Sequence, residues 1–190
     1  YLMEKYIRKG IYNMKTERLL IRRFTPNDWE DLYEYLSQED VVKYEPYDVF
    51  TKEQSKEEAI KRSKSQNFWA VCLLGSGKVI GNIYLEKQGF ETWELGYVFN
   101  KKYQGKGYAT EAAKALIDDI FMNHHAHRIL AMCNPLNTAS WKLMERLNMR
   151  REAHHIKNNW FFKDENGSPI WQDTYKYAIL KEEWQTDDKL

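Results

Sequence analysis

The stretch from Thr92 to Phe121 most constrains the fold. A strand-like segment, residues 92–100, runs through Gln104-Gly105-Lys106-Gly107-Tyr108-Ala109 into the chain's clearest amphipathic helix. Ala109, Ala112, Ala113, Leu116, Ile117, Ile120 and Phe121 recur at spacings of three and four, while Glu111, Lys114, Asp118 and Asp119 fall on other faces. Such a helix buries one face. The first-turn N–H groups of a helix lack intrahelical acceptors, its dipole adds positive charge there, and the glycines let a ligand approach the backbone. The turn therefore reads as an anion site with room for a pyrophosphate.

Neither common nucleotide motif fits. A dinucleotide fingerprint counted from Gly105 and Gly107 needs a third glycine where Thr110 stands. Gly75-Ser76-Gly77-Lys78 is followed by Val79 and reads as a hairpin turn rather than a Walker loop. With 29 Lys plus Arg against 28 Asp plus Glu in 190 residues, no bulk charge draws the chain to nucleic acid or to an acidic membrane. Cys72 and Cys133 lie in apolar runs and suggest no disulfide framework. No apolar run has the length of a transmembrane helix, so a cytoplasmic location is expected. His124, His125 and His127 crowd the end of the central helix without the spacing of a metal site, and no metal is expected.

Residues 1–14 read as an extra leader or an expression remnant, residues 15–184 as one domain, and residues 185–190 as a tail. Residues 17–24 form a strand. Thr25-Pro26-Asn27-Asp28 starts a helix that reaches Ser37, and Thr51 with Gln54 opens a second, over residues 51–65, through a capping-box pattern. The loop between them carries Tyr44, Glu45, Pro46 and Tyr47. Residues 68–74 and 79–87 make a hairpin, and 92–100 and 127–133 are further strands. Asn137 caps a short helix through Leu147, with Leu136 and Trp141 placed as a hydrophobic staple. Strands over 151–162 and 170–180 close the chain.

Gln104, Gly107 and Ala109 resemble the Q/R-x-x-G-x-G/A acyl-CoA signature of the GCN5-related N-acetyltransferases (GNAT), and the element order is similar to theirs over residues 15–184. Met14-Lys15-Thr16-Glu17-Arg18-Leu19, Glu94-Leu95-Gly96-Tyr97 and Gly107-Tyr108-Ala109-Thr110-Glu111-Ala112 resemble the RimJ/RimL-like branch. So do Asn134 with Asn137 and Ser140, and the closing Asp173, Tyr177, Leu180 and Glu183-Trp184. The resemblance implies an α/β (α+β) GNAT fold: a mixed central sheet of about seven strands, helices on both faces, and a splay between the fourth and fifth strands.

The resemblance further implies that acetyl-CoA is the cosubstrate. Main-chain groups of Tyr97, Val98 and Phe99 would hold the pantetheine arm, while Gln104 and the N–H groups of Gly105, Lys106, Gly107, Tyr108, Ala109 and Thr110 would hold the pyrophosphate. Asn137 and Ser140 would reach the pantetheine side. An amine acceptor must lose a proton, for which Glu94 is the first candidate base; a cross-strand ion pair is the competing reading. The family's usual tyrosine acid is replaced by Met144, leaving Ser140 as a donor or a local helix hydroxyl. Asn148 stands where a glycine is usual, a residue that tolerates left-handed geometry. Tyr44, Tyr47, Trp69, Trp160 and His155 could wall an amine pocket. Lys101, Lys102 and Lys106 form a solvated rim.

The implied activity is acetyl transfer to a primary amine, a protein N-terminus or a small molecule, by direct attack in a ternary complex. Its expected partner is that acceptor, not nucleic acid or a membrane, and a homodimer is compatible. The alternative is a catalytically silent acyl-CoA-binding or sensing module.

Overall fold

The computed structural model describes residues 4–8 and 11–186; residues 1–3 and 9–10 of the expected leader and 187–190 of the expected tail lie outside the described residues. Two units divide the chain. Tyr1–Lys43, Asp48–Leu85 and Gly96–Asp118 form the first; Tyr44–Tyr47, Glu86–Leu95 and Asp119–Leu190 form the second.

The first unit is built on strands β1 (Glu4–Arg8), β2 (Ile11–Lys15), β3 (Leu19–Arg22), β4 (Phe68–Leu73) and β5 (Val79–Lys87), paired in that order. The hairpin turn between β4 and β5 forms as the glycines predict: Gly77 adopts φ +72°, and the Leu73 N–H donates to the Lys78 carbonyl at 2.9 Å. A 3-10 turn, Pro26–Asp28, leads into α1 (Trp29–Leu36), which is followed by α2 (Glu39–Val42) and α3 (Lys52–Lys64). The capping box opening α3 is present in both directions, Gln54 N–H to Thr51 Oγ1 at 3.2 Å and Thr51 N–H to Gln54 Oε1 at 2.8 Å. Tyr35 Oη and Arg62 Nη1 both donate to Asn82 Oδ1, at 3.0 and 2.9 Å. One amide oxygen thus ties α1 and α3 to β5. Arg62 is only 2% exposed, and Glu58, 2.8 Å from its Nε, supplies the countercharge that burial demands.

Strand β6 (Thr92–Phe99) has its first half in the second unit and its second half in the first. Thr92–Leu95 pairs in parallel with the first four residues of β7 (Arg128–Cys133), the last pair being Leu95 with Ala131. Beyond that pair β6 runs on through four more residues. Strand β7 lies antiparallel to β9 (Gln172–Leu180), which in turn pairs antiparallel with β8 (Arg150–Asn159). The sheet is therefore mixed. Among the described residues there are nine strands rather than about seven, the additional ones being β1 and β2. Helix α4 (Tyr108–Asn123) follows the glycine turn, α5 (Thr138–Arg146) follows β7, and α6 (Lys181–Thr186) follows β9.

In α4, Ala112, Ala113, Leu116, Ile117, Ile120 and Phe121 are buried as their spacing predicts. Asp119 departs from the polar face expected for it. It is 1% exposed, accepting from Asn123 Nδ2 at 2.7 Å, with His124 Nε2 3.3 Å from its other oxygen. The Leu136–Trp141 staple does not close. Leu136 is 75% exposed because Asn134 Oδ1 takes its N–H and Tyr44 Oη donates to its carbonyl, and Trp141 donates to the Pro135 carbonyl instead. Asn148 adopts φ +57°, the left-handed geometry anticipated for it.

The closing sequence pattern pins the second unit together. Asp173 accepts from the Lys157 N–H at 2.8 Å and faces His154 Nε2 at 3.0 Å; Tyr177 Oη donates to Glu145 Oε1 at 3.2 Å. Glu183 takes the Leu180 N–H at 2.7 Å, and the Trp184 ring lies 6.3 Å from that of Phe121. No helix among the described residues is long and apolar enough to cross a membrane.

The turn joining β5 to β6 holds Phe90 and Glu91 at φ +57° and +53°, a region that costs side-chain-bearing residues energy. Replacing Glu91 by glycine retains the carbonyl that accepts from the His127 N–H and removes that cost. Glu91→Gly is expected to raise the urea unfolding midpoint, with a gain of about 1 kcal/mol.

Candidate active site

The turn expected to bind an anion is assembled entirely within the first unit. Asn100, fully buried, accepts the Lys102 N–H on its side chain at 3.1 Å and starts a 3-10 turn, Lys101–Tyr103. Gln104 then folds back, donating from Nε2 to the carbonyl of Phe99 at 2.8 Å, so its side chain closes the end of β6. Gly105 and Gly107 adopt φ +72° and +82°, and Gln104, Gly105, Lys106 and Gly107 are all exposed. The Glu111 N–H donates to the Gly107 carbonyl at 3.0 Å as an opening bond of α4, so the N–H groups of Tyr108 and Ala109 come before it at the positive end of the helix. Backbone N–H groups at a helix N-terminus, beside exposed glycines, have the chemistry that suits an anion.

Of the expected lysine rim, Lys101 and Lys102 are committed to Asp40 and Glu34. Lys106 lies 5.5 Å over the Tyr103 ring. Tyr97 is half-buried, while Val98 and Phe99 are buried. Trp69, expected in an acceptor pocket, is 6% exposed, and the Arg23 guanidinium lies 3.5 Å over its ring. Sequence reasoning missed the residues around the turn. Arg18 donates through Nε to Glu111 Oε2 at 2.7 Å and through Nη1 to the Lys106 carbonyl at 3.0 Å, and Thr16 Oγ1 donates to Glu111 Oε1 at 2.6 Å. The only signal was that Thr16, Arg18 and Glu111 fall within family-like motifs.

In the second unit Glu94 is half-buried on β6, and Gln88 Nε2 lies 3.1 Å from both Glu94 Oε2 and Glu86 Oε2. Burial pushes the Glu94 carboxyl above its ordinary value, the Glu86 charge adds to the rise, and Lys176 partly offsets it. A carboxylate so placed holds a proton more readily than a solvated one, which suits it to accept one from an ammonium group. Asn137 caps α5, its Oδ1 taking the Ser140 N–H at 3.2 Å. Ser140 is 9% exposed, and its hydroxyl hydrogen-bonds the Cys133 thiol, which burial pushes up to about 11. Met144 is 1% exposed. Tyr44 meets the segment before Asn137 through its bond to Leu136, Tyr47 is half-buried, and His155 is exposed on β8 opposite Thr174. Trp160 is 42% exposed, and among the described residues no group of three or more His, Cys, Asp or Glu side chains is placed to hold a metal.

The family model described as an acetyltransferase (GNAT) domain matches residues 18–150. The "Uncharacterized N-acetyltransferase YnaD" of Bacillus subtilis is 42% identical over 177 residues, covering 90% of this chain and 99% of the relative. The [Ribosomal protein uS5]-alanine N-acetyltransferase of Escherichia coli is 32% identical over 95 residues, 50% of this chain and 46% of the relative. Among solved structures, an acetyltransferase (GNAT family) from Bacillus anthracis superposes with a TM-score of 0.81 at 43% identity, covering 90% of this chain and 99% of the other. Spermidine N-acetyltransferase from Vibrio cholerae, in complex with CoA and spermine, shares the fold with a TM-score of 0.72 at 18% identity, over 90% of this chain and 99% of the other.

Because the folded carboxyl of Glu94 is raised, the folded chain binds its proton more tightly than the unfolded chain does. Stability therefore falls as pH rises from the ordinary carboxylate value through the raised one, and the full cost is carried at neutral pH. Glu94→Gln should raise the unfolding midpoint at neutral pH and lose that advantage below the carboxylate range, as read by denaturant titrations across pH.

Proposed function

Since the chain belongs to the GNAT acetyltransferase family, we propose that it transfers the acetyl group of acetyl-CoA to a primary amine by direct attack in a ternary complex. The observation that carries this reading is the exposed turn of residues 104–107, with two left-handed glycines leading into the N-terminus of α4. The pyrophosphate of CoA lies against the backbone N–H groups there. The backbone of Tyr97, Val98 and Phe99, past the last β6–β7 pair, takes the pantetheine arm as an added strand would be taken.

An amine reaches the enzyme mostly as ammonium, attracted by the Glu86 and Glu94 carboxylates. Glu94 accepts the proton, the nitrogen lone pair attacks the thioester carbonyl carbon, and a main-chain N–H near Val98 or Phe99 steadies the oxyanion. As the carbon–sulfur bond breaks, its electron pair leaves on sulfur, and the second proton on nitrogen passes to water, leaving the neutral amide. No tyrosine serves as acid at residue 144, where a buried methionine stands, and the Ser140 hydroxyl is engaged by Cys133. A thiol of pKa about 8.5 leaves as thiolate without a dedicated donor. The names of the uS5-alanine and spermidine N-acetyltransferases give a ribosomal-protein alanine and a polyamine as their acceptors.

Thiol release from acetyl-CoA, followed with a panel of polyamines, small amines and short peptides with free N-termini, tests the reading. At least one acceptor is expected to accelerate release, and Glu94→Gln to slow that reaction by about 100-fold or more. CoA binding with no release across the panel would instead support a sensing module. Undiminished release by Glu94→Gln would remove the base.

A further inference from the structure

We propose that Arg18 is a positioning residue for the anion-binding turn, fixing which way the Gly107 N–H points, with Glu111 holding the guanidinium in place. The inference rests on the acetyl-CoA reading given above. A trans peptide unit carries its C=O and the following N–H on opposite sides, and the chain contains no cis peptide bond among the described residues. Arg18 Nη1 holds the Lys106 carbonyl at 3.0 Å. The N–H of Gly107, in that same peptide unit, must then point away from Arg18. The guanidinium also lies 4.6 Å over the Tyr108 ring, and its Nη2 would stand 3.3 Å from a Cβ built on Gly107. Residues 106, 107 and 108 are thus all referred to one rigid, planar group.

That group is itself held. Glu111 Oε2 accepts from Arg18 Nε at 2.7 Å and lies 2.6 Å from Nη2, while Oε1 accepts from the Arg18 N–H at 3.0 Å and from Thr16 Oγ1 at 2.6 Å. Burial, the largest single influence on the Glu111 carboxyl, acts to raise its pKa, but the bonds from Thr16 and Arg18 outweigh it and keep the group ionised at neutral pH. The Arg18 side chain is 43% exposed, so its ion pair adds little to global stability. What it fixes is conformation. An exposed turn containing two glycines would otherwise lose its freedom only when the ligand arrives, at a cost in affinity. Lysine can carry the same charge but not the fork, which here reaches a carboxylate and a carbonyl at once.

The test is isothermal titration of CoA into wild-type chain, Arg18→Ala, Arg18→Lys and Glu111→Gln, with thermal melts of each ligand-free protein. Arg18→Ala and Arg18→Lys should both weaken CoA binding about tenfold, with melting points within about 3 °C of wild type. Glu111→Gln, which keeps the acceptor oxygen and loses the charge, should weaken it about threefold. In glycine-labelled protein the Gly107 amide should give a single resonance in the wild type and a broadened or doubled one in Arg18→Lys before any ligand is added. Unchanged affinity in Arg18→Ala overturns the proposal. So does full rescue by Arg18→Lys, which would reduce Arg18 to a bulk charge near the phosphates, or an unaltered Gly107 resonance in that variant. Should the Arg18 variants fail to fold, unchanged CoA affinity in Glu111→Gln overturns it alone. Absence of CoA binding by the wild type would instead overturn the acetyl-CoA reading itself.

Discussion

The carboxylate of Glu111 is the constraint on which the first unit's working surface depends. It sits one turn into α4, where a negative charge is favoured by the helix dipole, and it gathers Thr16, the Arg18 backbone and the Arg18 side chain from the segment entering β3. Everything at the mouth of the helix is referred to that point. With the helix start fixed to the sheet, a turn of exposed residues can hold left-handed geometry at Gly105 and Gly107 without a covering layer of side chains. Deeper in the same unit, Asn82 plays the corresponding part for α1 and α3 by accepting from both Tyr35 and Arg62.

How much of this was legible in the sequence depended on the reach of each interaction. Caps and turns were readable because donor and acceptor lie within a few residues: Thr51 with Gln54, Asn137 with Ser140, the Gly77 turn, and the left-handed Asn148. The apolar face of α4 was readable from period alone. Glu111 and Asp119 were not, since hydropathy assigns a carboxylate to solvent and says nothing of a partner 93 residues away or of an amide four residues on that draws it inward. The Leu136–Trp141 staple failed for the same reason, because a distant hydroxyl, Tyr44 Oη, takes hold of the Leu136 carbonyl. Strands β1 and β2 carry Tyr6, Ile7, Ile11 and Tyr12, which favour strands, but the two five-residue runs lack the strict apolar alternation that marks a strand.

Family-like positions divide into two kinds once their contacts are seen. Asp173, Tyr177, Glu183 and Trp184 bind other parts of the second unit, closing a β8 bulge, a helix face and the start of α6. Their recurrence in the pattern follows from architecture. Glu94, by contrast, is held half-buried beside another carboxylate, an arrangement that costs stability and suits proton transfer. Ser140 combines both kinds, with its N–H in the helix cap and its hydroxyl against the Cys133 sulfur.

The long span of the Thr16–Glu111 bond, 95 residues, also sets when the glycine turn can take its final shape. During synthesis β3 emerges well before α4, so a nascent chain carries the arginine long before the carboxylate that aims it. Local elements such as the α3 capping box can form early, whereas the turn acquires its shape only after a loop of that size has closed, a step slowed by chain entropy. The shape of the turn is consequently a late-acquired property. Any ligand of the turn selects finished molecules over partly folded ones and shifts the folding equilibrium toward them.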